Sequence, residues 1–115
     1  MNVTLVDYAF HFSPALTAGH HVFAVTDSGA QPHEIELAKL APGKTVTDFQ
    51  AWIQNPNGPP PGMPIGGVSM EVPGVTNYFT ADLTPGDYLA ICFVPDAKDG
   101  KPHYEHGMIQ AIKVD

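Results

Sequence analysis

Apolar residues fall in short runs along this chain, spaced for strands rather than for helices. Six segments carry a strand pattern, near residues 2–10, 20–27, 32–38, 74–82, 86–94 and 107–114. The run Tyr88-Leu-Ala-Ile-Cys-Phe-Val94 is apolar throughout, with β-branched and aromatic residues. Met108-Ile-Gln-Ala-Ile-Lys-Val114 mixes apolar and polar positions as a half-buried strand does. The spacing and the turn signals between these runs predict an all-β Greek-key sandwich of two sheets. About residues 41–73 no strand pattern is visible. Within that region Thr45-Val-Thr-Asp-Phe-Gln-Ala-Trp-Ile53, apolar at 46, 49, 52 and 53, predicts a short helix. Asn55 to Pro64 follows, with three consecutive prolines that exclude a helix or a central strand. The expectation is thus a β-sandwich carrying a long irregular insertion with one short helix. Long loops in compact domains are commonly functional.

Composition agrees with this reading. At 115 residues the chain suits one domain, 1–115, burying roughly two-thirds of its unfolded surface. Eleven glycines and twelve prolines, spread between the apolar runs, favour many turns over a helical bundle. Twelve acidic residues against five lysines give a net charge of −7. Nucleic acid and anionic membranes are poor partners for such a surface, and a basic protein is a better one. No segment approaches a membrane span. Strand-like sequence begins at Met1-Asn-Val-Thr-Leu-Val6, with no signal peptide before it. That fits either a mature form with a start methionine added or a protein that stays inside the cell. Asn2-Val3-Thr4 matches a glycosylation sequon, but a three-residue match is weak.

The single cysteine, Cys92, rules out an internal disulfide and begins the informative part of the sequence. His103 follows it after ten intervening residues, and Met108 follows His103 after four. Upstream, Gln31-Pro-His33-Glu offers another imidazole at the start of a strand. Two imidazoles, a thiolate and a thioether make up the donor set of a blue-copper electron-transfer site. Each residue alone has a blander reading: a lone cysteine is usually a small buried hydrophobe, and Met108 alone would be core. Their order on an all-β background is what points to copper. His20 and His21 are adjacent on a strand, so their side chains leave opposite faces and cannot chelate together. His11 reads as a packing or surface residue, and Trp52 as a lid over core.

These motifs resemble the cupredoxins, the small blue-copper proteins such as plastocyanin and pseudoazurin. The matching residues are Pro32-His33-Glu34, the corner Asp82-Leu-Thr-Pro-Gly-Asp-Tyr88, Cys92-Phe-Val-Pro95, and Pro102-His103 through Gly107-Met108. The His103-x4-Met108 spacing is similar to that of pseudoazurins and the copper domain of nitrite reductases. The resemblance implies a cupredoxin-like sandwich that cycles one copper ion between Cu(I) and Cu(II) on His33, Cys92, His103 and Met108. It also implies a periplasmic or secreted protein whose leader has been removed. The departure is the long Cys92-to-His103 segment, which leaves His106 as an alternative second imidazole. Multicopper oxidases need His-x-His pairs, and this chain has none.

No nucleophile elbow, Cys-x-x-Cys pair or phosphate-cradling glycine loop is present, so the expected role is not enzymatic. The expectation is a monomeric electron carrier that inserts into no membrane. Its docking patch would be the exposed edge of His103 with Tyr104, Met63, Pro64 and the 59–61 loop, meeting a redox partner with a basic surface. Three alternatives remain open from sequence: a copper carrier that hands the ion to another protein, a structural zinc tetrahedron of His33, Cys92, His103 and His106, and a metal-free sandwich.

Overall fold

The structure is a computed structural model that describes residues 1–115. Eight strands form two four-stranded sheets. In chain order they are β1 (Asn2–Val6), β2 (Ala9–Ser13), β3 (Gly19–Asp27), β4 (His33–Leu40), β5 (Gly62–Glu71), β6 (Thr76–Leu83), β7 (Gly86–Ile91) and β8 (Ile109–Val114). One sheet has the order β2-β1-β3-β6, the other β5-β4-β7-β8. All pairings are antiparallel except β1 with β3.

Alternation along the strands builds the core between the sheets. Val3 and Leu5 of β1, Phe23 and Val25 of β3, Ile35 and Leu37 of β4, and Tyr88 and Ala90 of β7 all point inward. Phe23 and Phe79 stack with ring centroids 4.5 Å apart. The unbroken apolar run of β7 has a separate cause, because this strand is buried on both faces. Its outward residues Leu89 and Ile91 pack with Ala38, Leu40 and Phe49 beneath the helix α1 (Val46–Gln54). Thr45 caps that helix: its hydroxyl accepts from the Asp48 amide, and the Asp48 carboxylate accepts from the Thr45 amide. Trp52 donates its indole N–H to the Gly58 carbonyl, tying the proline-rich segment to the helix.

The predicted helix therefore forms within one residue of its expected start and end, but the insertion around it is not irregular throughout. Residues 62–71 make β5, an edge strand paired with β4. Its signal is hidden by Gly62, Pro64, Gly66 and Gly67, residues that depress strand propensity. Two of those glycines answer to close approach. A Cβ at Gly67 would lie 2.2 Å from the Ile35 carbonyl oxygen, and one at Gly66 would lie 2.8 Å from the Phe79 ring. The strand expected over 2–10 is a hairpin of two strands that turns at Asp7–Tyr8.

Candidate metal centre

Four side chains converge at one end of the sandwich. His33 is the first residue of β4, and Cys92 follows the last residue of β7 with the inward parity of Tyr88 and Ala90. Met108 lies just before β8, and His103 opens a 3-10 turn, His103–His106. His33, Cys92, His103 and Met108 are each fully buried. The nitrogen and sulfur donors of His33, Cys92 and His103 lie within 4.8 Å of one another.

The long segment between Cys92 and His103 does not push His103 away, because it folds into a small side hairpin. Pro95 and Pro102 form an isolated antiparallel bridge, and Asp96 N–H donates to the Lys101 carbonyl at 2.7 Å. The ends of the segment are then tied directly. His103 N–H donates to Val94 O at 2.8 Å, Tyr104 N–H to Cys92 O at 3.0 Å, and Met108 N–H to His103 O at 3.1 Å. Cys92 N–H closes the loop on Met108 O at 3.2 Å.

The outer nitrogen of each imidazole is held by an oxygen that can only accept. His33 Nε2 lies 2.5 Å from Asp7 Oδ1. His103 Nε2 lies 2.9 Å from Gln31 Oε1. The Gln31 amide is oriented by its other bonds: its Nε2 donates to Asp96 Oδ1 at 2.9 Å, and its Oε1 accepts from Ala97 N–H at 2.7 Å. Tyr8 donates its hydroxyl to the same Asp96 oxygen at 2.8 Å. Both rings therefore carry their proton on Nε2, which leaves both Nδ1 atoms as bare acceptors in the neutral rings. Those two lone pairs face each other across 3.1 Å, with Cys92 Sγ 3.5 Å from His103 Nδ1.

A cation between these two lone pairs, whether a metal ion or a proton shared as an N–H···N bond, satisfies both. A transition-metal ion bound about 2.0 Å from nitrogen and about 2.3 Å from sulfur places its donors roughly 3–3.7 Å apart. The observed separations fit that requirement. The donor set is soft enough for copper, and Met108, fully buried and tied through its backbone to His103 and Cys92, stands beside it in the same loop.

Burial pushes the Cys92 thiol up to about 11, against the pull of the Glu34 and Val94 amides. Glu34 N–H points at the sulfur from 3.4 Å, and the Glu34 carboxylate accepts from Phe93 N–H, pinning the strand on either side of the cysteine. Burial, and next the neighbouring His33, lowers the pKa of His103 and favours the neutral ring that a metal requires. Asp96 is held well below the usual carboxylate range, first by the Tyr8 hydroxyl.

Two sequence expectations need correction. His103 has no exposed edge and Tyr104 is buried, so neither can form the expected docking patch; of those residues Pro59, Pro60, Met63 and Pro64 are exposed. The cause is the cover over His103: Gln31 on its nitrogen, and the Tyr8 ring 5.4 Å away with His106 stacked on it. The zinc tetrahedron also fails, because His106 turns away to Asp99, 2.9 Å from Nε2. Asp7, Gln31 and Asp96 went unrecognised in the sequence. Only the position of Gln31, two residues before His33, hinted at a role.

The fold has known counterparts. An auracyanin of the photosynthetic bacterium Roseiflexus castenholzii superposes with a TM-score of 0.65 at 20% identity, over 99% of this chain and 94% of that one. Auracyanin A, a "blue" copper protein of Chloroflexus aurantiacus, gives 0.63 at 21%, over 100% and 97%. An azurin of Methylomonas sp. strain J gives 0.61 at 15%, over 100% and 96%. The chain has the cupredoxin-like fold. No family model and no curated protein matches its sequence.

Proposed function

We propose that this protein binds one copper ion on His33, Cys92, His103 and Met108 and carries single electrons between redox partners. The facing Nδ1 lone pairs of His33 and His103 beside the Cys92 sulfur carry this reading. The auracyanin A counterpart, a "blue" copper protein with the same fold, supports it. When bound, the ion supplies a one-electron Cu(I)/Cu(II) couple. The chain's part is to hold the donors still, to exclude water and to surrender the Cys92 proton on metal uptake. The backbone ties among Val94, Cys92, His103 and Met108 limit rearrangement of the donors, which keeps electron transfer inexpensive.

Full burial of all four donors opposes rapid exchange of the ion, so the carrier reading gains no support. With His103 covered, contact with a partner shifts to Phe93, the residue after Cys92. It lines an apolar groove with Trp52, Ile53, Pro56, Pro60 and Pro64. The net charge of −7 suits a basic partner, and the working location is the periplasm or the exterior. No helix is long and apolar enough to cross a membrane. Adding Cu(II) to the metal-free protein should produce an intense thiolate-to-copper visible band and a reversible one-electron wave. Absence of the band would sink the copper reading.

A further inference from the structure

The two imidazoles are backed unequally. Behind His103 stands a neutral amide; behind His33 stands a carboxylate, Asp7, at 2.5 Å. The His33 ring is fully buried, whereas the Asp7 side chain is 27% exposed. The Asp7 carboxylate comes within ion-pairing distance of no lysine, and its ion-pair partner is His33. Its second oxygen accepts only a long bond, 3.4 Å, from Ala30 N–H. Its charge is therefore aimed along the imidazole toward the donor nitrogen on the far side of the ring.

The approach depends on a missing side chain. A Cβ on Gly29 would lie 2.5 Å from Asp7 Oδ1 and 2.6 Å from His33 Nε2, so any other residue there would wedge the pair apart. Asp7 comes from the β1–β2 turn, Gly29 from the β3–β4 connection and His33 from β4. Three segments thus meet to close one contact.

We propose that Asp7 is a charged positioning residue for the metal centre. It fixes the His33 tautomer and orientation, and its negative charge favours the oxidised ion over the reduced one, lowering the reduction potential. The inference rests on the copper reading above. A carboxylate on the outer nitrogen of a ligating histidine raises that ligand's basicity, and losing such a partner typically costs 10–100-fold in metal affinity. Because Asp7 is partly exposed, solvent screening places its effect at the lower end of that range.

The test is Asp7→Asn in the full chain, loaded with Cu(II). The amide keeps the size of the side chain and an accepting oxygen, so only the charge is removed. The visible band should persist. The preference for Cu(II) over Cu(I) should fall about tenfold, read as a rise of about 59 mV in the potential for a one-electron couple. Competition with a chelator should show Zn(II) binding weakened by about the same factor. Should Asp7→Asn fail to fold, Asp7→Ser, shorter and also uncharged, carries the same expectation. An intact band with an unchanged potential and unchanged Zn(II) affinity would overturn the role of Asp7 and leave the copper reading standing. A wild-type protein with no band overturns the copper reading, and this inference with it.

Discussion

His33 and His103 offer the same atom to the same point, yet the chain supports them in opposite ways. His33 opens β4, an inner strand that pairs with β5 from His33 onward and with β7 over Glu36–Lys39. His103 stands on a single 3-10 turn, held by backbone bonds to Val94 and Met108 and by a side-chain relay from Asp96 through Gln31. One imidazole is placed by the sandwich and the other by the loop that also carries Cys92 and Met108. A strand-borne ligand inherits its precision from the core. A loop-borne ligand must have its precision built locally, which explains the buried amide and carboxylate beside His103.

Removing the donor between the two imidazoles is the severest disruption. Cys92→Ser is nearly isosteric and should leave the fold intact while abolishing the intense visible band, because no thiolate remains. Strong colour in that variant with Cu(II) would show that the sulfur is not a ligand.

The loop-borne imidazole can next be set against its neighbour. His103→Ala should weaken copper binding and disrupt the spectrum until added imidazole fills the opened position. His106→Ala should leave the spectrum nearly unchanged, since that ring bonds to Asp99 and stacks on Tyr8. The opposite result would reassign the ligand. Gln31→Leu sharpens the comparison further. It leaves the buried His103 Nε2–H without its Gln31 acceptor, at a cost of about 1–3 kcal/mol. It should also lower copper affinity by roughly 10–100-fold without loss of the band. An unchanged affinity would mean that backbone bonds alone hold His103.

Legibility in the sequence followed the same division. The strands were readable where one face is buried, and β7 where both are. The helix was readable from apolar spacing at Val46, Phe49, Trp52 and Ile53. β5 was hidden because Gly66 and Gly67 are selected for close approach to Phe79 and Ile35, not for strand propensity. The four converging side chains were named from residue type and order. Their supports were not, because an aspartate in a turn and a glutamine before a strand look like ordinary surface residues. What makes Asp7 and Gln31 special is contact across 26 and 72 residues of sequence, and local patterns carry no record of that.

Met108 gives a milder test, since it shares the loop with His103 but offers the weakest donor. Met108→Leu conserves volume in a fully buried position and should cost less than about 1.5 kcal/mol of stability. Colour should persist on the remaining three donors. Loss of a soft donor that gives some electron density to Cu(II) should raise the potential. An unchanged potential and an unchanged electron-paramagnetic spectrum would make Met108 core alone.

The smallest expected effect is the pH dependence of the metal-free protein, in which the two sides of the loop act at opposite ends of the scale. The pKa of His103 is lowered by burial from its ordinary 6.5. Below about 6.5 the unfolded chain takes up a proton on this group before the folded one does, so stability falls as pH falls. Cys92 is raised by burial from 9.0 to about 11. Between those values the folded chain retains a thiol proton that the unfolded chain has lost, so stability falls as pH rises. For these two groups the metal-free protein should be most stable between about pH 6.5 and 9. Each group contributes a slope of at most about 1.4 kcal/mol per pH unit outside that window. Chemical denaturation across pH 5 to 11 would measure both limbs, and Cys92→Ser should remove the alkaline one while leaving the acid one. An alkaline limb that survives in Cys92→Ser would show that the thiol is not the group titrating there.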